Sequence, residues 1–352
     1  MSRTGVEPKP PWRAVPVAVR HAVEAMLGSQ VRRGARVWGG YGPSPTYRLR
    51  LADGRGAFFK AVNPASNEFM HSAHAREERA YSELDQLIGP WAPTFYGAIH
   101  CAGWDVMLLE DLGPKSAPPW MPGLARRVAQ ALADFHTSTL GASLPDWLPQ
   151  PGSLLTPMAA LWGRGMETES LRGVVDMAGD QHDAAGRWLE AALPTLAQAS
   201  RRLPDVAPPH ALLHFDVRSD NLRWVHGRLR LVDWPHVASG PPELDAAAFA
   251  QSVTVEGGPA AEQVMAWYGE RSPLRGDALD ASVAWLAAFF AYHAWRPDIE
   301  GLPRLRPFQR QQLAVCLAWA ARRLDLPPPL WLTGVVGRES LLAAGVAEPG
   351  RS

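Results

Sequence analysis

Asp216, Asn221 and Asp233 are the residues whose types and order in this chain could carry out a reaction. Asp216 stands in the run His214-Phe215-Asp216-Val217-Arg218-Ser219-Asp220-Asn221, and Asp233 follows in Val232-Asp233-Trp234. Between them lie two short apolar stretches, Leu222–Val225 and Leu229–Val232, joined across His226-Gly227-Arg228. That pattern predicts a hairpin, which returns Asp233 to the side of Asn221. Phosphoryl transfer needs such a set. One carboxylate orients a hydroxyl and accepts its proton, while an amide and a second carboxylate hold Mg²⁺ on nucleotide phosphates. On this reading Asp216 is the base, and Asn221 and Asp233 are the metal ligands. His214 is read as bracing the loop rather than reacting.

The arrangement resembles the catalytic loop of the protein-kinase-like superfamily, H-R-D-x-x-x-x-N followed by D-F-G. It looks closer still to the aminoglycoside phosphotransferase and choline kinase branch. There H-G-D-x-x-x-x-N is common, and an aromatic residue without glycine follows the metal aspartate, as Trp234-Pro235 does here. Gly240-Pro241-Pro242-Glu243-Leu244-Asp245 is similar to the G-x-P-x-x-D-L-A stretch of those small-molecule kinases, and no A-P-E segment occurs. In the protein-kinase loop a lysine occupies the position of Arg218. The resemblance therefore implies a cation there that steadies the γ-phosphate; the alternative is that Arg218 pairs with Asp220 or Asp245 and holds the loop. Asp220, Asp245 and Trp234 are candidates for the acceptor side.

The same resemblance implies residues upstream. Lysine is scarce, at Lys9, Lys60 and Lys115 only, and Lys60 sits inside the apolar run Phe58–Val62. It is expected to clamp the α- and β-phosphates of ATP or GTP. Tyr81, Leu84 and Ile88 mark the inward face of a helix over 76–88, and Glu77 shares that face, so Glu77 is the expected partner of Lys60. Glu78 is the solvated alternative. The glycine-rich run from Trp38 to Thr46 is expected to cover the phosphates, with Ser44 and Thr46 offering hydrogen bonds, although it completes neither G-x-G-x-x-G nor G-x-x-x-x-G-K-[ST]. Met107–Leu112 resembles the hinge of the family, where the Glu110 carbonyl and the Leu112 amide would meet the adenine edge. Ala133-Asp134-Phe135-His136 looks like the family's A-x-L-H, with His136 read as a hydrogen-bonded core histidine.

These residues need elements to position them. A helix is expected over 15–27, strand-turn-strand over 37–62 with Asp53-Gly54 at the turn, and two further strands at 95–99 and 104–109. Beyond Gly113 the texture turns helical. Leu124, Val128, Leu132 and Phe135 recur at helical spacing, and further helices are expected near 181–200, 259–270, 278–296 and 308–324. The expected fold class is α+β, a bilobal protein-kinase-like fold. Its small N-terminal lobe, 1–112, combines an antiparallel sheet with a helix; its larger C-terminal lobe, 113–352, is mostly helical. Within the latter, 137–205 and 255–352 are the expected acceptor-pocket helices.

Composition narrows the classes further. The chain has 352 residues, of which 47% are hydrophobic and 20% charged, as in a folded protein with a sizeable core. Its 35 Lys and Arg balance 35 Asp and Glu, which argues against a dedicated nucleic-acid binder. Two distant cysteines, Cys101 and Cys316, exclude a disulfide framework and a cysteine zinc site. Met1–Arg20 has no apolar run, and Ala281–Trp295 falls short of the ~20 residues of a membrane span, so a cytoplasmic protein without a membrane partner is expected. Neither H-E-x-x-H nor G-x-S-x-G occurs, which disfavours metallohydrolase and serine-hydrolase readings. The remaining alternative is a catalytically silent, nucleotide-binding kinase fold. Retention of Lys60, Asp216, Asn221 and Asp233 favours instead an ATP- and Mg²⁺-dependent kinase of a small hydroxylated acceptor: an antibiotic, a sugar or an amino-alcohol-like metabolite. The 15 tryptophans suit aromatic walls for such molecules, and equally the core.

Overall fold

Period-two alternation marks the first third of the chain and helical spacing the remainder. The computed structural model, which describes residues 9–37, 45–114, 117, 119–299 and 302–337, follows that change. In chain order the first elements are α1 (Val17–Leu27), β1 (Val31–Arg36), β2 (Thr46–Leu51), β3 (Gly56–Val62), α2 (Glu68–Glu83), α3 (Asp85–Ile88), β4 (Phe95–Cys101) and β5 (Trp104–Glu110). Next come α4 (Pro122–Thr139), α5 (Pro151–Ala159), α6 (Glu169–Met177), α7 (His182–Arg201), β6 (Ala211–Leu213), β7 (Leu222–Val225), β8 (Arg228–Leu231) and β9 (Ala238–Gly240). The last are α8 (Pro242–Val255), α9 (Ala261–Gly269), α10 (Gly276–His293), α11 (Leu305–Arg323) and α12 (Thr333–Val336). Two compact units result: Met1–Ser116 with Asp220–Val237, and Ala117–Ser219 with Ala238–Ser352.

In the first unit, five antiparallel strands lie in the order β1-β2-β3-β5-β4. Tyr47, Leu49 and Leu51 of β2 and Ala57, Phe59 and Ala61 of β3 join Val19, Val23 and Leu27 of α1 in one core. Trp12 meets Tyr47 and Phe59 edge-on, each at 5.4 Å. Side chains alternate across a strand, so Lys60, between Phe59 and Ala61, is directed to the opposite face. There it is in register with Thr46 of β2 and Met107 of β5. The helix expected over 76–88 starts earlier, because the Asn67 side chain caps it by accepting the Met70 N–H at 3.0 Å. It ends at Glu83, and Asp85–Ile88 forms a separate turn.

The β7–β8 hairpin closes through His226 and Gly227, whose φ values of 50° and 75° match the left-handed pair of a two-residue turn. It docks on the loop after α3. Leu231 N–H donates to the Trp91 carbonyl at 2.6 Å, and Arg230 Nη1 donates to the carbonyls of Gly89, Pro90 and Ala92 at 3.2, 3.1 and 3.0 Å. Those bonds group the hairpin with the first unit, whereas a division at residue 112 leaves it with the C-terminal lobe.

The second unit is helical, with one antiparallel pair, β6 and β9. Helices α8, α10 and α11 are buried over much of their length, α8 and α11 with polar side chains among the apolar ones; α10 is buried without interruption from Ala281 to Ala288. No helix among the described residues is long and apolar enough to cross a membrane.

Candidate active-site residues and family membership

Lys60 is the pivot of the first unit. Its ammonium donates to Glu77 Oε2 on α2 and, at 2.5 Å, to Asp233 Oδ1 just beyond β8. Helix phase selects Glu77, which is buried on α2 with His74, Ala80 and Tyr81, while Glu78 turns outward to His100 Nε2 at 3.2 Å. Burial works against charge on Lys60, but Asp233 and Glu77 outweigh it and hold the ammonium pKa above its ordinary value. Burial pushes the Glu77 carboxyl up; Lys60 pulls against this and Asp233 adds to it. Two carboxylates therefore face one ammonium. Burial, which pushes the Glu77 carboxyl up to about 7, disfavours charge on both carboxyls beside one ammonium.

Asp233 has a φ of 71°, a left-handed conformation that costs a residue with a side chain roughly 1–2 kcal/mol and is tolerated where surrounding contacts fix it. Its side chain remains 40% exposed. Asn221 is buried, and its carbonyl accepts the Val232 N–H at 2.9 Å, which ties it to the residue preceding Asp233. An amide oxygen and a carboxylate are hard donors that suit Mg²⁺, an ion that takes few protein ligands and completes its shell with phosphate oxygens and water. Among the described residues no three His, Cys, Asp or Glu side chains form a metal-holding cluster.

The other first-unit candidates are placed as follows. Thr46 Oγ1 accepts Lys9 Nζ at 2.8 Å, and Ser44 lies outside the described residues. The Glu110 carboxylate accepts the N–H and the hydroxyl of Thr94, both at 3.2 Å. Leu112 follows Asp111, which takes Arg48 through both carboxylate oxygens and also accepts the Gly113 N–H at 3.0 Å.

In the second unit the loop bearing Asp216 is held through its backbone. Asp245, on α8, accepts the His214 N–H at 2.6 Å and the Phe215 N–H at 3.0 Å. His136 Nε2 lies 3.4 Å from the same carboxylate, and its Nδ1 is 2.8 Å from the Tyr268 hydroxyl. The fully buried His214 ring accepts the Asp216 N–H on Nδ1 at 3.3 Å, a bracing contact. Downstream, Ser219 Oγ bonds Glu256, which also accepts Trp120 Nε1 at 2.6 Å. Arg218 Nε sits 3.3 Å from Asp216 Oδ1.

A model of the phosphotransferase enzyme family matches residues 34–279. This chain belongs to that family. Among solved structures, the phosphotransferase is similar to choline kinase LicA from Streptococcus pneumoniae, at a TM-score of 0.53 and 15% identity over 87% of this chain and 97% of that one. It is similar to the spectinomycin phosphotransferase APH(9)-Ia, solved with ADP and its antibiotic, at 0.50 and 11% over 92% and 98%. A thermostable mutant of aminoglycoside phosphotransferase APH(4)-Ia, solved with ADP and hygromycin B, scores 0.50 at 15% over 91% and 99%. At such identities the likeness is one of fold, the bilobal α+β kinase-like class. None of the curated proteins compared with the chain matches it.

Two expectations for the phosphotransferase are corrected. Asp245, a candidate for the acceptor side, is 1% exposed and committed to the amides of His214 and Phe215. Trp234 is fully buried, with its indole N–H on the Leu231 carbonyl at 2.9 Å, so an acceptor cannot reach it. Asp220 is partly buried and belongs with the first unit; its carbonyl accepts Arg223 Nη1 at 2.8 Å. Sequence reasoning passed over Asp111 and Glu256. An acid next to the hinge-like Leu112 was a usable signal for Asp111. Glu256 lies at the end of a helix with no motif around it.

Proposed function

We propose that this phosphotransferase moves the γ-phosphate of ATP or GTP to a hydroxyl of a small molecule: an antibiotic, a sugar or an amino-alcohol-like metabolite. The observation that carries this reading is Lys60 held between Glu77 and Asp233, with Asn221 tied to the residue before Asp233. Lys60 binds the α- and β-phosphates, and Glu77 orients it. Asn221 and Asp233 hold Mg²⁺, which when bound neutralises phosphate charge. Thr46 and Ser44 serve the phosphates, and the Glu110 carbonyl and Leu112 amide take the purine edge. Asp216 accepts the acceptor's hydroxyl proton as the new O–P bond forms and the bond from the γ-phosphorus to its bridging oxygen breaks, releasing the nucleoside diphosphate. Arg218 steadies the charge that develops on the transferring group. Helices within 137–205 and 255–352 supply the acceptor side. Calorimetric titration with ADP tests the nucleotide half. Binding is expected to be about tenfold or more tighter with Mg²⁺ than without it. Equal affinity in both conditions overturns the metal assignment.

A further inference from the structure

Helix α10 is enclosed as far as Ala288 and then opens: Phe289, Tyr292, His293 and, just beyond it, Trp295 and Arg296 are partly exposed. A ladder of rings runs along that opening. Phe215, the chain neighbour of Asp216, lies 5.8 Å from Trp285, and Trp285 stacks on Phe289 at 5.8 Å and 16°. Phe289 meets His293 at 4.6 Å, and His293 meets Tyr292 edge-on at 5.0 Å. Residues 285, 289 and 293 recur every four positions and share one side of the helix. A stripe of that spacing is usually core. Here only Trp285 is core, 5% exposed with its indole N–H on the Leu155 carbonyl at 2.9 Å. That bond fixes the rung on which Phe289 stacks. Phe215, Phe289 and His293 are each partly exposed.

The far end of the ladder is cationic. The Arg296 guanidinium lies over the Tyr292 ring at 4.1 Å. Arg306, 6% exposed, bonds the Pro297 carbonyl at 3.1 Å and Gln309 Oε1 at 2.7 Å, and Arg310 Nε bonds the Ala294 carbonyl at 3.3 Å. Capping of backbone carbonyls explains part of this placement. No described carboxylate pairs with any of these three arginines. Asp298 acts on Arg306 only from beyond ion-pair distance, and the charges acting on His293 are Arg296 and Arg306.

We propose, resting on the kinase reading above, that this wall receives the phosphate acceptor, which is a flat and largely apolar alcohol of aromatic or fused-ring type without positive charge. Its ring face stacks on Phe289 and His293 with the hydroxyl toward the Phe215–Asp216 end. From Trp285 to His293 the helical rise spans roughly 12 Å, with Arg296 just beyond. An acidic substituent at the distal end gains from Arg296 and Arg306, whereas ammonium groups meet guanidiniums that no described carboxylate pairs. The wall therefore selects against polycations.

Titration of the full chain, saturated with ADP and Mg²⁺, tests this with four probes: naphthalenemethanol, its carboxylate derivative, its trimethylammonium derivative, and polycationic kanamycin. The carboxylate probe is expected to bind about tenfold or more tighter than the trimethylammonium probe, with kanamycin weakest. Phe289→Leu should weaken the neutral and carboxylate probes about three- to tenfold, with ADP affinity and melting temperature unchanged on the same samples. Arg296→Glu should invert the preference between carboxylate and trimethylammonium. Tighter binding of kanamycin than of the ring alcohols, or unchanged ring-alcohol affinity in Phe289→Leu, overturns the proposal. ADP binding with no ring alcohol bound also overturns it and leaves the kinase reading standing. Loss of ADP binding itself in the unaltered protein overturns the kinase reading.

Discussion

Lys60 in one unit and Asp216 in the other are held by opposite means. Lys60 is fixed by side-chain charge, between the Glu77 and Asp233 carboxylates. Asp216 is fixed through its backbone, because the buried Asp245 takes the amides of the two preceding residues and His214 takes its own N–H. The first device gathers two carboxyl groups around one ammonium. The second sets position through the backbone, with Arg218 Nε 3.3 Å from the Asp216 carboxylate beside it. A substitution in the ion cluster should thus act on binding and rate, and one beneath the loop on stability first.

The largest effect expected is at Asp216 itself. Asp216→Asn should cut kcat by about 10²–10⁴-fold while ADP–Mg²⁺ affinity stays within about twofold, because on the proposed reading the carboxylate serves the hydroxyl rather than the nucleotide. A parallel fall in ADP affinity would erase the distinction between the two units. Next come Lys60→Ala and Glu77→Ala. Each should lower kcat/KM by about 10²-fold, and the double variant by little more, since the pair acts as one unit. Multiplicative losses in steady-state kinetics would show that Glu77 acts without Lys60.

Asp245→Asn probes the backbone device. Exchanging a charged acceptor of two amides for a neutral carboxamide should cost about 1.5–3 kcal/mol. Calorimetry should show Tm falling by about 5–10 °C, before any loss of ADP affinity. An unchanged Tm with lost turnover would make Asp245 a reacting group after all.

The smallest effect concerns His74, buried one helical turn before Glu77. Burial, then the Lys60 ammonium, hold its pKa down from 6.5 to about 4. Its unfolded form thus binds a proton that the folded form refuses. Stability is fully present above about pH 6.5 and falls as the pH drops toward 4. His74→Gln should flatten that slope, read from urea midpoints at pH 7 and 5. Equal slopes in both proteins would remove His74 from the account.

What could be read in the sequence follows from what leaves a periodic trace. The β7–β8 hairpin was legible because His226-Gly227 is a turn pair between two short apolar stretches, and with it the return of Asp233 to Asn221. The Lys60–Glu77 contact was legible because strand alternation and helix phase each choose one residue. Strand β1, Val-Arg-Arg-Gly-Ala-Arg, escaped notice because no residue in it is buried. Helix α8 escaped because it is buried on nearly all sides and carries no amphipathic stripe. Asp245 and Trp234 were misread for one reason. Proximity to a motif suggested contact with an acceptor, but burial, which a motif does not encode, assigns them to packing and loop support.

The hairpin's place in the first unit also sets a schedule for synthesis. The five-strand sheet is complete in the nascent chain at Glu110, and Lys60 can meet Glu77 at once. Asp233 lies 173 positions after Lys60, and the chain must first make Ala117–Ser219 of the second unit. At about 5–20 residues per second, the stretch from Glu110 to Asp233 takes roughly 6–25 s. Throughout it the carbonyls of Gly89, Pro90 and Ala92 await Arg230, and the Lys60 cluster has one of its two carboxylates. The newborn first unit thus has Glu77 alone beside Lys60, and gains the Asp233 carboxylate only when the strand pair from the middle of the chain arrives.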